Sequence, residues 1–326
     1  MSGQSPPCTF LGLGQVPAEL GPTVVTIGTF DGVHRGHLAL LGRVAEEAAA
    51  RGIAAGAITF DRHPSEVLRP GTRPRMLSAL RRRVTLLGAA GMEFVLVLPF
   101  TLRLSRMRAE EFAIKVLLES VSARAIVVGA NFRFGHRAAG DPELLAALAR
   151  PRGVDVIAMS LDAEGGEAIS STRIRAALAS GDVSTATRLL GRPFAVDGHV
   201  VLGQQRGRLL GVPTANLRVP ARLALPARGI YAGHLETRDS GPLLAVSSVG
   251  VNPQFGGADL RVEAHVLDFD GDLYGRRVSL SFEHRLRDEA AFPDVAALVA
   301  QMREDIRQAR RLLGRTSANL NSGGWA

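Results

Sequence analysis

The alternation of strand-like and helix-like segments in the first half of the chain limits its fold more than any other feature. Five apolar segments have the length of strands: Val24–Ile27, Ala54–Phe60, Val95–Leu98, Ala125–Val128 and Val154–Ala158. Segments with helical periodicity lie between them: Leu38–Arg51, Ala79–Ala90, Ala109–Ser120 and Pro142–Ala149. This alternation predicts a parallel sheet with helices on both faces. Ligands of such sheets bind beyond the carboxyl ends of the strands, so functional residues are expected there.

The second half has a different pattern, which begins after Gly191-Arg192-Pro193. Short strand-like segments follow one another closely: Ala195–Leu202, Ile230–Leu235, Leu244–Val249, Arg261–Leu267 and Arg277–Phe282. Such spacing is typical of an antiparallel barrel or sandwich. An amphipathic helix over Val295–Leu313 follows. We therefore predict an α/β domain over residues 1–186, a mainly β domain over residues 187–314 and a disordered tail over residues 315–326.

Bulk properties predict a cytoplasmic globular protein without a membrane partner. The 326 residues are enough for two separate cores, and 46% of them are hydrophobic without a run long enough to span a bilayer. The N-terminus lacks the basic and apolar regions of a signal peptide. The single cysteine, Cys8, excludes an intramolecular disulfide and an all-cysteine zinc site.

The net charge of +8 and the pI near 11.0 raise the hypothesis of a nucleic-acid partner. The basic residues are scattered, with short clusters at Arg81–Arg83 and Arg310–Arg311. Aromatic residues, which provide stacking platforms for single strands, make up only 5% of the chain. We therefore expect no nucleic-acid partner, because anionic small substrates explain the positive charge equally well. A nucleic-acid-binding regulator that has lost catalysis stays open as an alternative.

The most informative motif is the run Gly28–His37, GTFDGVHRGH, between the first predicted strand and the first predicted helix. Its glycines permit close approach of a ligand, and the N-terminus of a helix binds phosphate. His34 and His37 can donate to phosphate oxygens whose charge grows during nucleotidyl transfer. A structural role for the two histidines and a zinc site are the alternatives, although no cysteine cluster or HExxH partner supports zinc.

Two later segments are candidates to complete this site. Asn131 follows the fourth predicted strand, although an isolated asparagine there is equally typical of a turn. In the segment Ile169–Arg175, Ser170 or Ser171 is the expected N-cap of a helix. Thr172 and Arg175 then share one helical face, where they can bind a phosphate. A capped helix with a surface arginine has the same spacing.

The second half contains a second candidate site. In the Gly-rich segment Gly203–Leu217, glycines permit a phosphate-binding loop, and Thr214 and Asn216 offer oxygen ligands suited to Mg²⁺. The predicted strand Arg261–Leu267 alternates, so Glu263 lies on its polar face and can accept a hydroxyl proton in phosphoryl transfer. A Gly-rich hairpin and an exposed strand face are the simpler alternatives.

Together these segments resemble the bifunctional riboflavin kinase/FMN adenylyltransferases, the prokaryotic two-domain FAD synthetases, from about Val24 to Leu313. The resemblance is carried by GTFDGVHRGHLALL, TFDRHPSEVL, GANFRFG, ISSTRIRAALASGDV, GRPFAVDGHVVLGQQRGRLLGVPTANL, GIYAGHL, SSVGVNPQFGG and VEAHVLDFDGDLYG. It implies a Rossmann-like nucleotidylyltransferase domain followed by an antiparallel flavokinase barrel. The chain departs from the family pattern at Val212, Val251, Gln254 and Ala264.

The resemblance also implies roles for individual residues. In the first domain His34, His37 and Arg175 are expected to be catalytic, and the ATP-binding residues are expected to be Gly28, Phe30, Asp31, Gly36, Asn131, Ser171 and Thr172. In the barrel Glu263 is the expected base, Gly203, Arg208 and Gly211 are expected to contact ATP, and Thr214 and Asn216 are expected to hold Mg²⁺.

The substrates implied by the resemblance are ATP, riboflavin and FMN, with FAD as product, and we expect a monomer or a weak homo-oligomer. A nucleotidylyltransferase that uses another small phosphorylated substrate, with a non-catalytic barrel, is the alternative function.

Overall fold

A computed structural model of the chain describes residues 6–160, 163–164, 167–203, 207, 210–251 and 260–320. The chain divides into two compact units, Met1–Ser171 and Thr172–Ala326. This division precedes the boundary expected at residues 186 and 187 because the helices after Ser171 pack on the second unit. The Ala227 amide donates to the carbonyl of Leu178, 2.8 Å away, in the first of these helices.

The first unit is built on a six-stranded parallel sheet with the order β1-β4-β3-β2-β5-β6. Its strands are β1 (Cys8–Leu11), β2 (Thr23–Ile27), β3 (Ala54–Phe60), β4 (Phe94–Leu98), β5 (Ala123–Gly129) and β6 (Asp155–Met159). A two-stranded ribbon, β7 (Ala163–Glu164) and β8 (Glu167–Ala168), follows the sheet. The parallel sheet confirms the predicted fold class, and β1 is an additional edge strand.

Helices connect the strands. They are α1 (Arg35–Arg51), α2 (Pro64–Leu68), α3 (Leu80–Ala89), α4 (Leu102–Ser105), α5 (Ala109–Phe112) and α6 (Pro142–Ala149). A π-helical segment, Ala113–Glu119, continues α5, so the single helix predicted over Ala109–Ser120 changes its winding partway. Short 3₁₀ turns occur at Leu13–Gln15, His136–Ala138 and Arg150–Arg152.

Each central strand is buried on both faces, as expected for a parallel sheet covered by helices. Val25 and Ile27 of β2 join the core beside the α5 segment and α6. Val24 joins the opposite core, with Leu41 and Val44 of α1. From β2 the chain winds to β3 and β4 on one side and later to β5 and β6 on the other. The strand order therefore reverses between β2 and β5, and a ligand crevice is expected beyond their carboxyl ends.

The second unit contains a closed antiparallel barrel. Its six strands, in the order β12-β13-β10-β9-β14-β11, close through pairing of β11 with β12, while β15 also pairs with β11. The strands are β9 (Phe194–Val201), β10 (Ala215–Arg218), β11 (Gly229–Thr237), β12 (Leu243–Val251), β13 (Leu260–Val266), β14 (Arg277–Phe282) and β15 (His284–Arg287). Full closure removes the exposed edges of the sheet.

Three helices accompany the barrel: α7 (Ser171–Ala179), α8 (Val183–Leu190) and α9 (Val295–Leu320). Ala309 and Leu313 of α9 are buried against Ala232 of β11. The helix continues to Leu320, past the end at Leu313 predicted from its periodicity, and residues 321–326 of the predicted tail lie outside the described residues. None of the helices in the described ranges is both long and apolar enough to cross a membrane.

Candidate active sites

Two stacked histidines mark the carboxyl end of β2. His34 is the N-cap of α1, and its Nδ1 accepts the backbone N–H of His37 at 3.4 Å, while Nδ1 of His37 accepts the backbone N–H of His34 at 3.3 Å. Their ring centroids lie 3.6 Å apart with planes 18° apart. Because both Nδ1 atoms accept, the proton of each neutral ring resides on Nε2. The pair therefore presents two N–H donors at the start of a helix.

The turn before His34 is held in an unusual backbone conformation. Phe30 and Val33 have φ of 46° and 41°, in the left-handed region that costs most for a β-branched residue such as Val33. Both side chains are buried, and the Phe30 ring meets the His37 ring edge to face at 5.2 Å. Packing therefore compensates the backbone strain and fixes the histidine rings.

Two of the three glycines of this motif, Gly28 and Gly36, lie close to aromatic rings of the site. A Cβ on Gly36 would lie 3.4 Å from Nδ1 of His34, and a Cβ on Gly28 would lie 3.2 Å from the Phe30 ring. Larger residues would displace the rings that these glycines accommodate. Their contacts support a role in shaping the site rather than a chemical one.

The Asp31 carboxylate fixes the turn by accepting backbone hydrogen bonds from another segment. Its carboxylate is buried and accepts the backbone N–H groups of Leu77, at 2.9 and 3.1 Å, and of Ser78, at 3.2 Å. ATP binding at positions 30 and 31 stays a prediction, but these contacts show what the two side chains do within the protein. Phe30 is a core residue and the Asp31 carboxylate is engaged with amides of the protein, so both position the turn.

The other predicted residues of the first site are placed as follows. Asn131 is exposed in the turn that follows β5, at the switch point of the sheet. Ser171 donates its hydroxyl to the carbonyl of Asp31 at 2.9 Å, so the Ser171 segment contacts the histidine turn. Thr172 and Arg175 lie in the first turns of α7, with Thr172 exposed and Arg175 half-buried. Ser170 immediately precedes α7, as expected of its N-cap.

The second site is formed where β10 and β13 pair. Asn216 and Glu263 are direct cross-strand partners. Arg261 joins them: its Nε and Nη2 donate to Oδ1 of Asn216, at 3.0 and 2.5 Å, and its guanidinium forms an ion pair with the Glu263 carboxylate. The Arg261 guanidinium thus contacts both Asn216, which is predicted to hold Mg²⁺, and Glu263, which is predicted to accept a proton. Sequence analysis placed Arg261 on the correct face of β13 but assigned it no role.

Glycines next to this site fit its side chains closely. A Cβ on Gly203 would overlap with the side-chain amide of Asn216, and a Cβ on Gly207 would overlap with the Val212 carbonyl. Gly203 therefore accommodates Asn216, while its contact with ATP stays a prediction. Gly211 has φ of 74° and supplies a tight turn. Arg208, Gln254 and the side chain of Val251 lie outside the described residues.

Two cavities of the second unit meet at Thr214. The first, of about 240 Å³, is lined by Glu263, by apolar residues of the barrel and by Leu298, Met302 and Ile306 of α9. The second, of about 450 Å³, is lined by Pro213, Ala215 and the segment Phe269–Tyr274. Thr214 lines both. The first cavity is mostly apolar and contains the carboxylates of Glu263, Glu289 and Asp305, whereas the second combines apolar side chains with Asp270 and Asp272.

A metal cluster built from side chains is not part of either site as far as the structure describes the chain. No group of three or more His, Cys, Asp or Glu side chains gathers there. The zinc interpretation of His34 and His37 therefore gains no support. The oxygens of Asn216, Thr214 and Glu263 are the type of ligand that Mg²⁺ prefers.

The parallel sheet with its histidine pair at the switch point, followed by the barrel with paired cavities, defines a two-site transferase of the nucleotide-using class. Family models agree with this division: residues 16–173 match FAD synthetase and residues 190–313 match riboflavin kinase. The chain belongs to the bifunctional riboflavin kinase/FMN adenylyltransferase family.

Relatives support this membership over nearly the whole chain. The Escherichia coli K12 enzyme of that name is 36% identical over 93% of this chain and 96% of its own length. The Pseudomonas fluorescens enzyme is 38% identical over 92% and 96%. The crystal structure of a macrolide-efflux protein from Streptococcus pneumoniae is 31% identical, with a TM-score of 0.84 over 93% of this chain and 98% of that one. That likeness supports the fold.

Proposed function

We propose that the barrel phosphorylates riboflavin to FMN with ATP and that the parallel-sheet domain adenylylates FMN with ATP to give FAD and pyrophosphate. Family membership over both units supports the two reactions. The assignment of each step to particular residues rests on the geometry of the two sites.

For adenylylation, the α-phosphate of ATP binds beside the N-terminus of α1, where helix amides attract anions. An oxygen of the FMN phosphate attacks the α-phosphorus, and the bond to the β-phosphate oxygen breaks to release pyrophosphate. Nε2–H groups of His34 and His37 donate to phosphate oxygens as negative charge develops in the transition state. Asn131 and Ser171, which belong to the same unit as the histidines, complete the nucleotide site. The family resemblance assigns phosphate binding to Thr172 and Arg175 as well.

For the kinase reaction, riboflavin occupies the apolar cavity and ATP the neighbouring one. The 5′-hydroxyl oxygen of the ribityl chain attacks the γ-phosphorus of ATP, Glu263 accepts the hydroxyl proton, and ADP leaves. Asn216 and Thr214 would hold Mg²⁺, which would supply positive charge to neutralise the phosphates. Arg261, which contacts both Asn216 and Glu263, supports this assignment because a cation is already favoured there.

The observation that carries the kinase proposal is the position of Thr214 in the walls of both cavities. A group transferred between two bound molecules must pass through a shared boundary, and Glu263 lies on the riboflavin side of it.

Chromatography of riboflavin incubated with the full chain, ATP and Mg²⁺ tests the proposal. FMN followed by FAD is the expected result. FMN alone would contradict the adenylylation step. If neither forms, FAD from supplied FMN would contradict only the kinase step, and no product from either substrate would contradict both. A cytoplasmic location, a monomeric or weakly oligomeric state and the lack of a nucleic-acid partner stay predictions from the sequence.

A further inference from the structure

Arg83 is a buried cation next to the adenylylation site. Only 1% of the residue is exposed, and its Nη1 donates to the carbonyls of Thr29 at 3.0 Å and Phe60 at 2.8 Å. The same nitrogen lies 3.3 Å from Oγ1 of Thr59. Burial of a charged group is costly unless hydrogen bonds compensate it. Here the compensating acceptors lie at the carboxyl ends of β2 and β3, the edge of the sheet where ligands bind.

Arg83 belongs to a segment that contacts the histidine turn at several points. Thr29 begins that turn, and its carbonyl accepts from Arg83 and, at 3.2 Å, from the hydroxyl of Thr59. Farther along, the Gly32 amide donates to Oγ of Ser78 at 3.1 Å. The amides of Leu77 and Ser78 donate to Asp31. The segment Leu77–Arg83 therefore contacts both the beginning and the middle of the turn.

We propose that Arg83 is a positioning residue for FMN adenylylation. Its guanidinium holds the Thr29 carbonyl, so that the strained turn through Phe30 and Val33 delivers the His34 and His37 rings in their stacked arrangement. The proposal rests on the proposed role of these histidines. It also gives a function to the Arg81–Arg83 cluster, in which Arg81 is exposed while Arg83 points into the fold.

A planar guanidinium suits this position because it reaches acceptors on two neighbouring strands from one rigid group. A lysine at position 83 keeps the charge but has a flexible stem and a compact ammonium. A methionine keeps a similar length and provides neither charge nor donors. Since the histidines act in the transition state, their misplacement lowers kcat more than it raises KM.

The test compares Arg83→Met, Arg83→Lys and the matched control Arg81→Met in the full chain. We expect Arg83→Met to lower kcat for FMN adenylylation about 30-fold, or about 2 kcal/mol, with KM for ATP within about twofold. Arg83→Lys should recover most of that loss. Riboflavin phosphorylation by the same chain should stay unchanged in all three variants. Nitrogen-15 NMR of the histidine rings should show the Nε2–H form of His34 and His37 in the parent and in Arg81→Met, and its loss in Arg83→Met.

Arg83→Met with parental kcat, or an equal loss in Arg81→Met, would overturn the proposal. If Arg83→Met fails to fold, Thr59→Val decides, because it removes the second donor to the Thr29 carbonyl with little change of shape. A loss of kcat at constant KM in Thr59→Val supports the proposal, and parental kcat in that variant overturns it. If His37→Ala retains adenylylation, the proposed catalytic roles of the histidines are wrong. The ring spectra would still show whether Arg83 positions the turn.

Discussion

His34 and His37 orient each other: each Nδ1 accepts the backbone N–H of the other residue, and the rings stack 3.6 Å apart. This reciprocal arrangement is a capping box made of two histidines instead of the usual serine or threonine with glutamate. One set of contacts therefore begins the helix and sets the tautomer of both rings. Loss of either ring removes one Nε2–H donor and also removes the contacts that orient the other histidine.

His37→Ala is expected to lower FAD formation from supplied FMN by at least about 10²-fold, the usual cost of losing one transition-state donor. FMN formation from riboflavin should stay within about twofold of the parent, because the barrel lies in a separate unit with its own core. Both rates can be measured by chromatography on one preparation. His136→Ala, at an exposed histidine of the same unit, is the matched control. Equal loss of both activities would contradict the two-site assignment.

Much of the fold follows from the sequence because its periodicities are strong. Ala54–Phe60, Pro142–Ala149 and Arg277–Phe282 have the same bounds in the prediction and the structure. The missed strands have weaker signals. The edge strand β1 contains only Cys8–Leu11, and β10 follows a Gly- and Pro-rich loop that resembles a turn. The pairings of β9 with β14 and of β10 with β13 depend on contacts distant in sequence, which no local pattern specifies.

The candidate sites could be predicted only to the level of motifs. The sequence predicts that His34, His37, Asn216 and Glu263 are functional, because their residue types match phosphate and metal chemistry. It does not separate groups that face a ligand from groups that support them. Asp31 and Gly203 lie within the same motifs, yet one accepts buried amides and the other accommodates Asn216. Arg83 carries no motif at all, since only its burial distinguishes it from Arg81.

Glu263→Gln is expected to reduce FMN formation by about 10²–10⁴-fold, the contribution of a general base. The amide keeps the size of the side chain but cannot accept the hydroxyl proton. FAD formation from supplied FMN should be unchanged. The matched control is Glu236→Gln, at an exposed carboxylate of β11 in the same barrel. Unchanged FMN formation in Glu263→Gln would show that the base is another group.

Gly203→Ala is expected to lower FMN formation by about 10–100-fold while leaving adenylylation of FMN intact. The new methyl group would overlap with the side-chain amide of Asn216 and push it away from Glu263. Gly241→Ala is the matched control, because a Cβ there meets open space. Initial rates at saturating riboflavin and ATP measure the effect. Parental rates in Gly203→Ala would contradict the role of Asn216.

A half-buried ion pair on the barrel predicts how stability depends on pH. Nδ1 of His234 and Oε1 of Glu283 are 2.6 Å apart, and the hydroxyl of Ser281 donates to the same Oε1 at 2.8 Å. The hydrogen bond with Glu283 raises the pKa of His234 above its usual 6.5, against the effect of burial. Burial opposes ionisation of Glu283, but the hydrogen bond and charge of His234 outweigh it, so the pKa of Glu283 falls below 4.5.

The pair should therefore stabilise the barrel most between pH 4.5 and 6.5, the unfolded values of the two groups. Its contribution, about 1–2 kcal/mol for a charge-assisted hydrogen bond, is lost as the pH rises through the raised pKa of His234 or falls through the lowered pKa of Glu283.

Urea unfolding can be followed by tyrosine signals, since Tyr231 and Tyr274 are the two tyrosines of the chain and both belong to the second unit. His234→Gln should lose stability near pH 6 and much less at pH 9, whereas His199→Gln, at an exposed histidine of β9, should follow the parent at both. An equal loss at the two pH values would mean that packing of the ring, rather than its charge, stabilises the barrel.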